Sequence, residues 1–304
     1  IRFDRNPNYH GRMRGNAGQI VLRIRDIYDT RMGLEMYLAD QIDLLSLYAM
    51  APNEFEEIQS NYPEEFHAIP ASMTGYLQFV TQTSPMDDHR IRRAIVMALD
   101  REEMARQTLP RQFDPPTGGF IPPSFPGHSP GIGLAFDPDE ARRLLDSAGY
   151  PLGEGFPRLR YLCTGAFRFI EGYIRDQLDS VLGISVDFTI AEPAEFFKRT
   201  RSEPWHILGS GFSADYPDAY SFLGYVMPLV NPGCNQIIHH ALRQMDEQIR
   251  WEWYRKADSL LMEEAVVVPL AYGKSHYLMK PWISAQGSLM DDPGFIQELV
   301  IHPH

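Results

Sequence analysis

Between residues 159 and 210 the hydrophobic period of the chain switches back and forth. LRYLC (159–163) has the β-branched and aromatic density of a buried strand, and FIEGYIRDQLDSVLG (169–183) repeats apolar residues at helical spacing, with Ile170, Ile174, Leu178 and Val181 inward and Gly183 closing it. ISVDFTI (184–190) alternates Ile184, Val186, Phe188 and Ile190 against Ser185, Asp187 and Thr189; PAEFFKRTR (193–201) is again helical and WHILGS (205–210) again a strand. Strand, helix, strand, helix, strand excludes a string of hairpins and implies an α/β fold, with a parallel or mixed sheet carrying helices on its faces. In open sheets of this kind ligands gather at the C-terminal edge of the strands. GFSADYPDAYSF (211–222) follows WHILGS at that edge.

The remaining segments fit the same architecture. GQIVLRIR (18–25) reads as a strand with Ile20, Leu22 and Ile24 on one face, residues 30–40 as a helix, Asn53 as the N-cap of a short helix, and GYLQFVTQT (75–83) as a strand. In MDDHRIRRAIVMALDREEM, Ile91, Ala94, Ile95, Ala98 and Leu99 share one helical face behind the N-cap Asp88. FDPDEARRLLDSAGYP carries its own boundaries: Asp137 as N-cap, Pro138 at the first helical position, Glu140 to complete a capping box, a stripe of Ala141, Leu144, Leu145 and Ala148, and Gly149 at the left-handed end. Residues 236–264 read as one or two helices with Ile249, Trp253, Ala257, Leu260 and Glu264 in line, VVVPLAYG as a strand, and ELVIHP as the last strand. The Pro/Gly-rich stretch 114–131 is a long loop, and loops of that length are often functional.

Composition narrows the partners. With 304 residues and 44% hydrophobic content, the chain can build one large domain or two ordinary ones. A net charge of −12 disfavours nucleic acid and anionic membranes and mildly favours cationic or zwitterionic ligands. Cys163 and Cys234 could form one disulfide, but no zinc spacing accompanies them. No apolar run approaches the ~20 residues of a membrane span. No signal peptide opens the chain, and its start, IRFDRNPNYHG, reads as the end of a strand and a turn, as expected of a piece of a longer protein.

Nucleotide, zinc-protease and hydrolase signatures are absent, and no cofactor or metal is expected. His239 and His240 point ~100° apart on a helix and cannot share a metal. The loop after residue 210 is different: Asp215 and Asp218 stand among Phe212, Tyr216, Tyr220 and Phe222. Two acids in one loop do not make a glycosidase pair, which comes from carboxyl groups about 5–9.5 Å apart across a sugar bond. An aspartate starved of water inside an aromatic rim would instead prefer a cation, and a primary ammonium fits it, with ring faces adding ~0.5–2 kcal/mol. The plainer expectation is that Asp215 ends a strand and holds nearby backbone amides in an Asx-turn.

The series RNPNYHG, MDDHRIRRAIVMALDREE, FIPPSFPG, FDPDEARRLLDSAGYPLGEGFP, GFSADYPDAYSFL, EEAVVVPLAYG and KPW resembles the family 5 extracellular solute-binding proteins, the peptide and nickel receptors of ABC importers. The resemblance covers nearly the whole chain, and it implies a periplasmic-binding-protein-like α/β fold of two lobes joined by a hinge and closing over a ligand. Residues 1–82 with 281–304 would form a partial first lobe lacking its N-terminal portion, and residues 83–280 the second. In the family's peptide receptors the aspartate matching Asp215 takes the ligand's N-terminal ammonium. Phe212 and His10 stand where the family often has Trp.

The resulting expectation is a binding protein, not an enzyme, that captures a small peptide or cationic amine and works with an ABC permease outside the cytoplasm, as a periplasmic or cell-surface lipoprotein. Asp215 anchors the ammonium, Phe212 and Tyr216 wall the pocket, Gly211 allows close backbone approach, and Ser213, Tyr76 and Phe197 are further candidates. For Phe197 a packed core ring is the plainer reading. The alternative is a ligand-sensing domain fused to a signalling module, cytoplasmic in that case. A partial lobe would expose apolar sheet surface, which favours a homodimer.

Overall fold

The computed structural model describes residues 1–11, 14–24, 30–47, 52–108, 113–227, 234–285 and 298–303. The chain divides into two units, one of Ile1–Ala71, Pro110–Gln112 and Lys274–His304, the other of Ser72–Leu109 and Phe113–Gly273. In the first unit β1 (Arg2–Asp4) and β2 (Gln19–Val21) form an antiparallel ribbon with Phe3 opposite Ile20. The strand expected over 18–25 thus ends at Val21, and its intended face stays outside: Ile24 is 80% exposed. A two-stranded ribbon has no layer of its own to bury against.

The core of this unit comes from α1 (Thr30–Leu38), β3 (Leu44–Ser46) and α2 (Pro52–Asn61), which bury Tyr37, Leu45, Leu47, Phe55 and Ile58. α2 begins at Pro52, so Asn53 lies inside the helix and is not its cap; proline's fixed φ suits that first turn. β4 (Phe66–Phe79) starts in this unit and continues into the second.

The second unit adds α3 (His89–Met97), α4 (Arg101–Thr108), β5 (Phe113–Asp114), α5 (Pro138–Ser147), β6 (Leu159–Thr164), α6 (Glu171–Leu182), β7 (Val186–Ala191), α7 (Pro193–Ser202) and β8 (Ile207–Ser213). α8 (Tyr220–Val226), α9 (Cys234–Ala241), α10 (Glu247–Glu263) and β9 (Val267–Met279) follow, and β9 leads back into the first unit, where its end pairs with β3 before β10 (Ile283–Ala285) and β11 (Leu299–Ile301). β6 lies between β7 and β8 and runs parallel to both, while β4 runs antiparallel to β8, so of the two sheets the alternating periods allowed, parallel or mixed, the mixed one forms. Helices α3, α5 and α6 bury Ile91, Ala94, Ile95, Leu145, Ile174 and Leu178 in a core with strand residues Leu159, Tyr161, Val186 and Ile207.

Helix ends follow side-chain chemistry. The Asp88 carboxylate accepts from Arg90 N and caps α3. The long segment expected as one helix divides because Asp100 Oδ1 accepts from Glu103 N at 2.9 Å and caps α4 separately. Asp137 accepts from Glu140 N at 2.9 Å, but the capping box is not closed: Asp137 N donates to Met97 O, and the Glu140 carboxylate pairs with Arg143. α6 ends at Gly183, whose φ of 68° is the left-handed value expected there.

Two readings change in this unit, and a third gains detail. Ile190 is 49% exposed, because β7 is the outer strand of its sheet. The Pro/Gly-rich stretch is largely irregular, as expected of a long loop, and it is packed: Phe120, Ile121 and Phe125 are buried in a second apolar cluster with Tyr76, Phe222 and Tyr254. The buried stripe of α10 is Tyr254, Ala257, Asp258, Leu261 and Met262, rotated from the line drawn through Ile249, which is 43% exposed. Cys163 is a buried free thiol; the side chain of Cys234 lies outside the described residues. Among the described residues no helix is long and apolar enough to cross a membrane.

Candidate functional site

β8 runs three residues further than the sequence suggested, so Gly211, Phe212 and Ser213 are strand residues opposite Gly75, Thr74 and Met73 of β4. Strand alternation therefore decides where the Phe212 ring points. That ring stacks on Tyr225 of α8 at 4.5 Å and 22°, and meets the edge of Phe222 at 5.4 Å. The stack is open on one side: Phe212 is half-buried and Tyr225 is 46% exposed. Tyr76 of β4 lies beneath, buried, with its hydroxyl 3.3 Å from that of Tyr225. Burial, then the Tyr225 neighbour, pushes the Tyr76 phenol well above its ordinary range, so it remains a neutral donor.

After Ser213 the chain leaves the sheet. Ala214 N still bonds to Ser72 O, and Asp215 N donates to Ser221 Oγ at 2.9 Å at the start of α8. The two aspartates then part in character. Asp218 Oδ1 accepts from Tyr220 N at 2.8 Å and from the Tyr254 hydroxyl at 2.8 Å, and Arg250 Nε lies 3.7 Å from its Oδ2. The Asx-turn expected of Asp215 thus belongs to Asp218, which is neutralised by its own chain. The Asp215 carboxylate has no hydrogen-bond or ion-pair partner among the described residues, and the residue is exposed.

Exposure corrects one step of the sequence reasoning. A carboxylate in water gains nothing from the rings around it until something covers it, so Asp215 is not desolvated in advance. Tyr216, 45% exposed, projects from the same loop; partial burial first, then Tyr220, Asp218 and Asp215, raises its phenol pKa. Phe197 is not gathered with the others. It sits on α7, 60% exposed, against Phe196, and Phe196 is the packed core ring.

Tyr225, Arg250 and Tyr254 were missed. Tyr225 was findable: Phe222 and Tyr225 are three apart on a helix and so share the face that meets Phe212. Arg250 and Tyr254 come from a helix about 30 residues on and leave no local trace. No cluster of metal-ligating side chains is present among the described residues.

Residues 1–228 match the family described as bacterial extracellular solute-binding proteins, family 5 Middle. The periplasmic oligopeptide-binding protein OppA of Salmonella typhimurium is 24% identical over 326 residues, covering 100% of this chain and 58% of that protein. The periplasmic murein peptide-binding protein MppA of Escherichia coli is 24% identical over 265 residues, covering 81% and 48%. Among solved structures, MppA in its unliganded open form aligns with a TM-score of 0.76 at 22% identity over 91% of this chain and 56% of that one. Haemophilus influenzae OppA in complex with the peptide RPPGFSPFR aligns with a TM-score of 0.69 at 21% identity over 90% and 57%. The chain thus spans about half the length of these relatives.

Proposed function

The chain belongs to the bacterial extracellular solute-binding proteins of family 5, and on that premise we propose that it captures small peptides or related amines for an ABC importer. The observation that carries this reading is the contrast within one loop: Asp218 is taken up by Tyr254, Tyr220 N and Arg250, while the carboxylate of Asp215, three residues after Phe212 of the open stack, has no partner among the described residues and is left for one from outside. A ligand ammonium at Asp215 supplies charge-assisted hydrogen bonds worth about 1.5–3 kcal/mol once the ligand's own atoms exclude water. Phe212, Tyr225 and Tyr216 offer ring faces to the cation and to the first side chain. Gly211 keeps the strand edge low, Ser213 adds a hydroxyl, and Tyr76 supports the stack from below.

OppA and MppA, two of its relatives, are periplasmic peptide-binding proteins. By analogy, the proposed setting is extracytoplasmic, with a permease as partner and no reaction catalysed. The proposed lobes are residues 1–82 with 281–304, and 83–280, and ligand binding favours their closed arrangement by its differential affinity.

The test is calorimetry with trialanine and N-acetyl-trialanine. The free amine binds and the acetylated peptide binds at least about tenfold more weakly, as does the free amine to Asp215→Asn, a loss of about 1.4 kcal/mol. The melting temperature of the variant stays unchanged, because the Asp215 carboxylate holds no partner among the described residues. Equal affinity for both peptides removes the anchor role.

A further inference from the structure

Under the open stack lies a carboxylate that no cation meets among the described residues. Asp258, on α10, is fully buried; its Oδ1 accepts from Phe120 N at 2.7 Å and its Oδ2 from Ile121 N at 3.4 Å. The groups around it are spent elsewhere. The Tyr272 hydroxyl of β9 donates to Gly119 O at 2.7 Å, and Arg101 of α4 donates to Leu134 O at 2.9 Å and Pro269 O at 3.4 Å. His128 stands edge-on to Tyr272 with Nδ1 2.6 Å from Ile121 O. Burial raises the Asp258 carboxyl to about 7 in spite of its two amide donors. Gly119 is shaped to the same group, since a Cβ there would stand 2.1 Å from Asp258 Oδ2.

An acid so placed is a liability unless it holds something. What it holds is Phe120. The Phe120 carbonyl accepts from Thr74 Oγ1 at 2.9 Å, and Thr74 is the cross-strand partner of Phe212. The Phe120 ring meets Tyr76 at 5.1 Å and Phe222 at 6.0 Å, both edge-on. Those two residues in turn touch Tyr225 and Phe212. We propose that Asp258 is a positioning residue of the ligand site: through two backbone N–H groups it clamps Gly119–Ile121 so that the Phe120 ring keeps Tyr76 and Phe222 in place under the Phe212–Tyr225 stack. The inference rests on the reading that this stack borders the ligand.

Asp258→Asn, Asp258→Ala and Gly119→Ala are compared with wild type by trialanine calorimetry at about pH 5.5 and 7.5, where the carboxyl is mostly protonated and mostly ionised. Asn keeps an acceptor for Phe120 N and binds within about threefold of wild type, whereas Asp258→Ala and Gly119→Ala each lose about fivefold or more while still folded. Wild-type affinity falls at the lower pH, because a protonated carboxyl turns a donor towards one of the two N–H groups, and the Asn variant lacks that component. Undiminished binding by folded Asp258→Ala, or identical pH profiles for wild type and Asp258→Asn, overturns the proposal, and the second readout stands even if the alanine variant does not fold. Asp215→Asn run alongside separates the failures. Loss at Asp215 with no effect at Asp258 overturns this inference alone, whereas full affinity at Asp215 overturns the site reading beneath it.

Discussion

Asp215 and Asp218 differ by three positions and by everything that surrounds them. Asp218 is bound by a tyrosine hydroxyl and a backbone amide of its own chain, so Tyr254→Phe should lower stability by about 1.5–3 kcal/mol, read as a shift in the urea midpoint at constant slope. A midpoint equal to wild type would mean that Asp218 draws nothing from that hydroxyl. Asp258 makes a pH prediction of its own. Its folded pKa near 7 lies above the unfolded value of about 3.9, so between those values the native state holds a proton that the unfolded chain has released. Stability from this group is present at low pH and is lost as pH rises through 7, by at most about 1.4 kcal/mol per pH unit. The melting temperature of Asp258→Asn relative to wild type should therefore climb between about pH 5 and 8; a flat difference would contradict the assignment. Asp215 and Asp218 were visible in the sequence but what faces them was not, and Asp258 was not singled out at all. An acid's role depends on who faces it, and Asp258 faces a segment 138 positions away.

At the scale of elements, local chemistry was the best guide. Asp88, Asp137 and Gly183 mark the ends of α3, α5 and α6 because capping bonds reach only two or three residues, and such bonds are written in adjacent letters. Asp137→Ala should cost about 1 kcal/mol by thermal or urea unfolding. Glu140→Ala should cost only a few tenths, since its carboxylate serves an exposed pair with Arg143 in place of a second cap. A large loss for Glu140→Ala would restore the reciprocal box. Where elements met distant neighbours, the reading slipped. β8 extends through Ser213 because β4 supplies a ladder partner that far along, and the buried stripe of α10 keeps the helical period but in another phase, with Tyr254, Ala257, Leu261 and Met262 in the cluster of Phe120, Phe125 and Phe222. The proline-rich stretch is a loop, as its composition says, but composition does not show that Phe120 and Phe125 are buried in a core.

At the scale of the whole molecule, charge acts before contact. A net charge of −12 should speed the arrival of a cationic peptide and make that rate sensitive to salt. Stopped-flow association of trilysine should slow severalfold between about 0.05 and 0.5 M salt, while that of trialanine, zwitterionic, hardly changes. Equal salt dependence for both peptides would show that long-range charge plays no part. By itself the sequence determined the α/β class, the caps at Asp88 and Asp137, the end at Gly183 and the loop that carries Asp215 and Asp218, because period, capping and turn chemistry act over a few residues. Only the tertiary structure decided which of the two acids is spent on the chain's own tyrosine and arginine and which is left open. It likewise decided that a ring from α8 completes the stack with Phe212, and that a buried acid on α10 lies beneath. Those outcomes depend on contacts between residues far apart in the chain, and no local pattern of letters carries them.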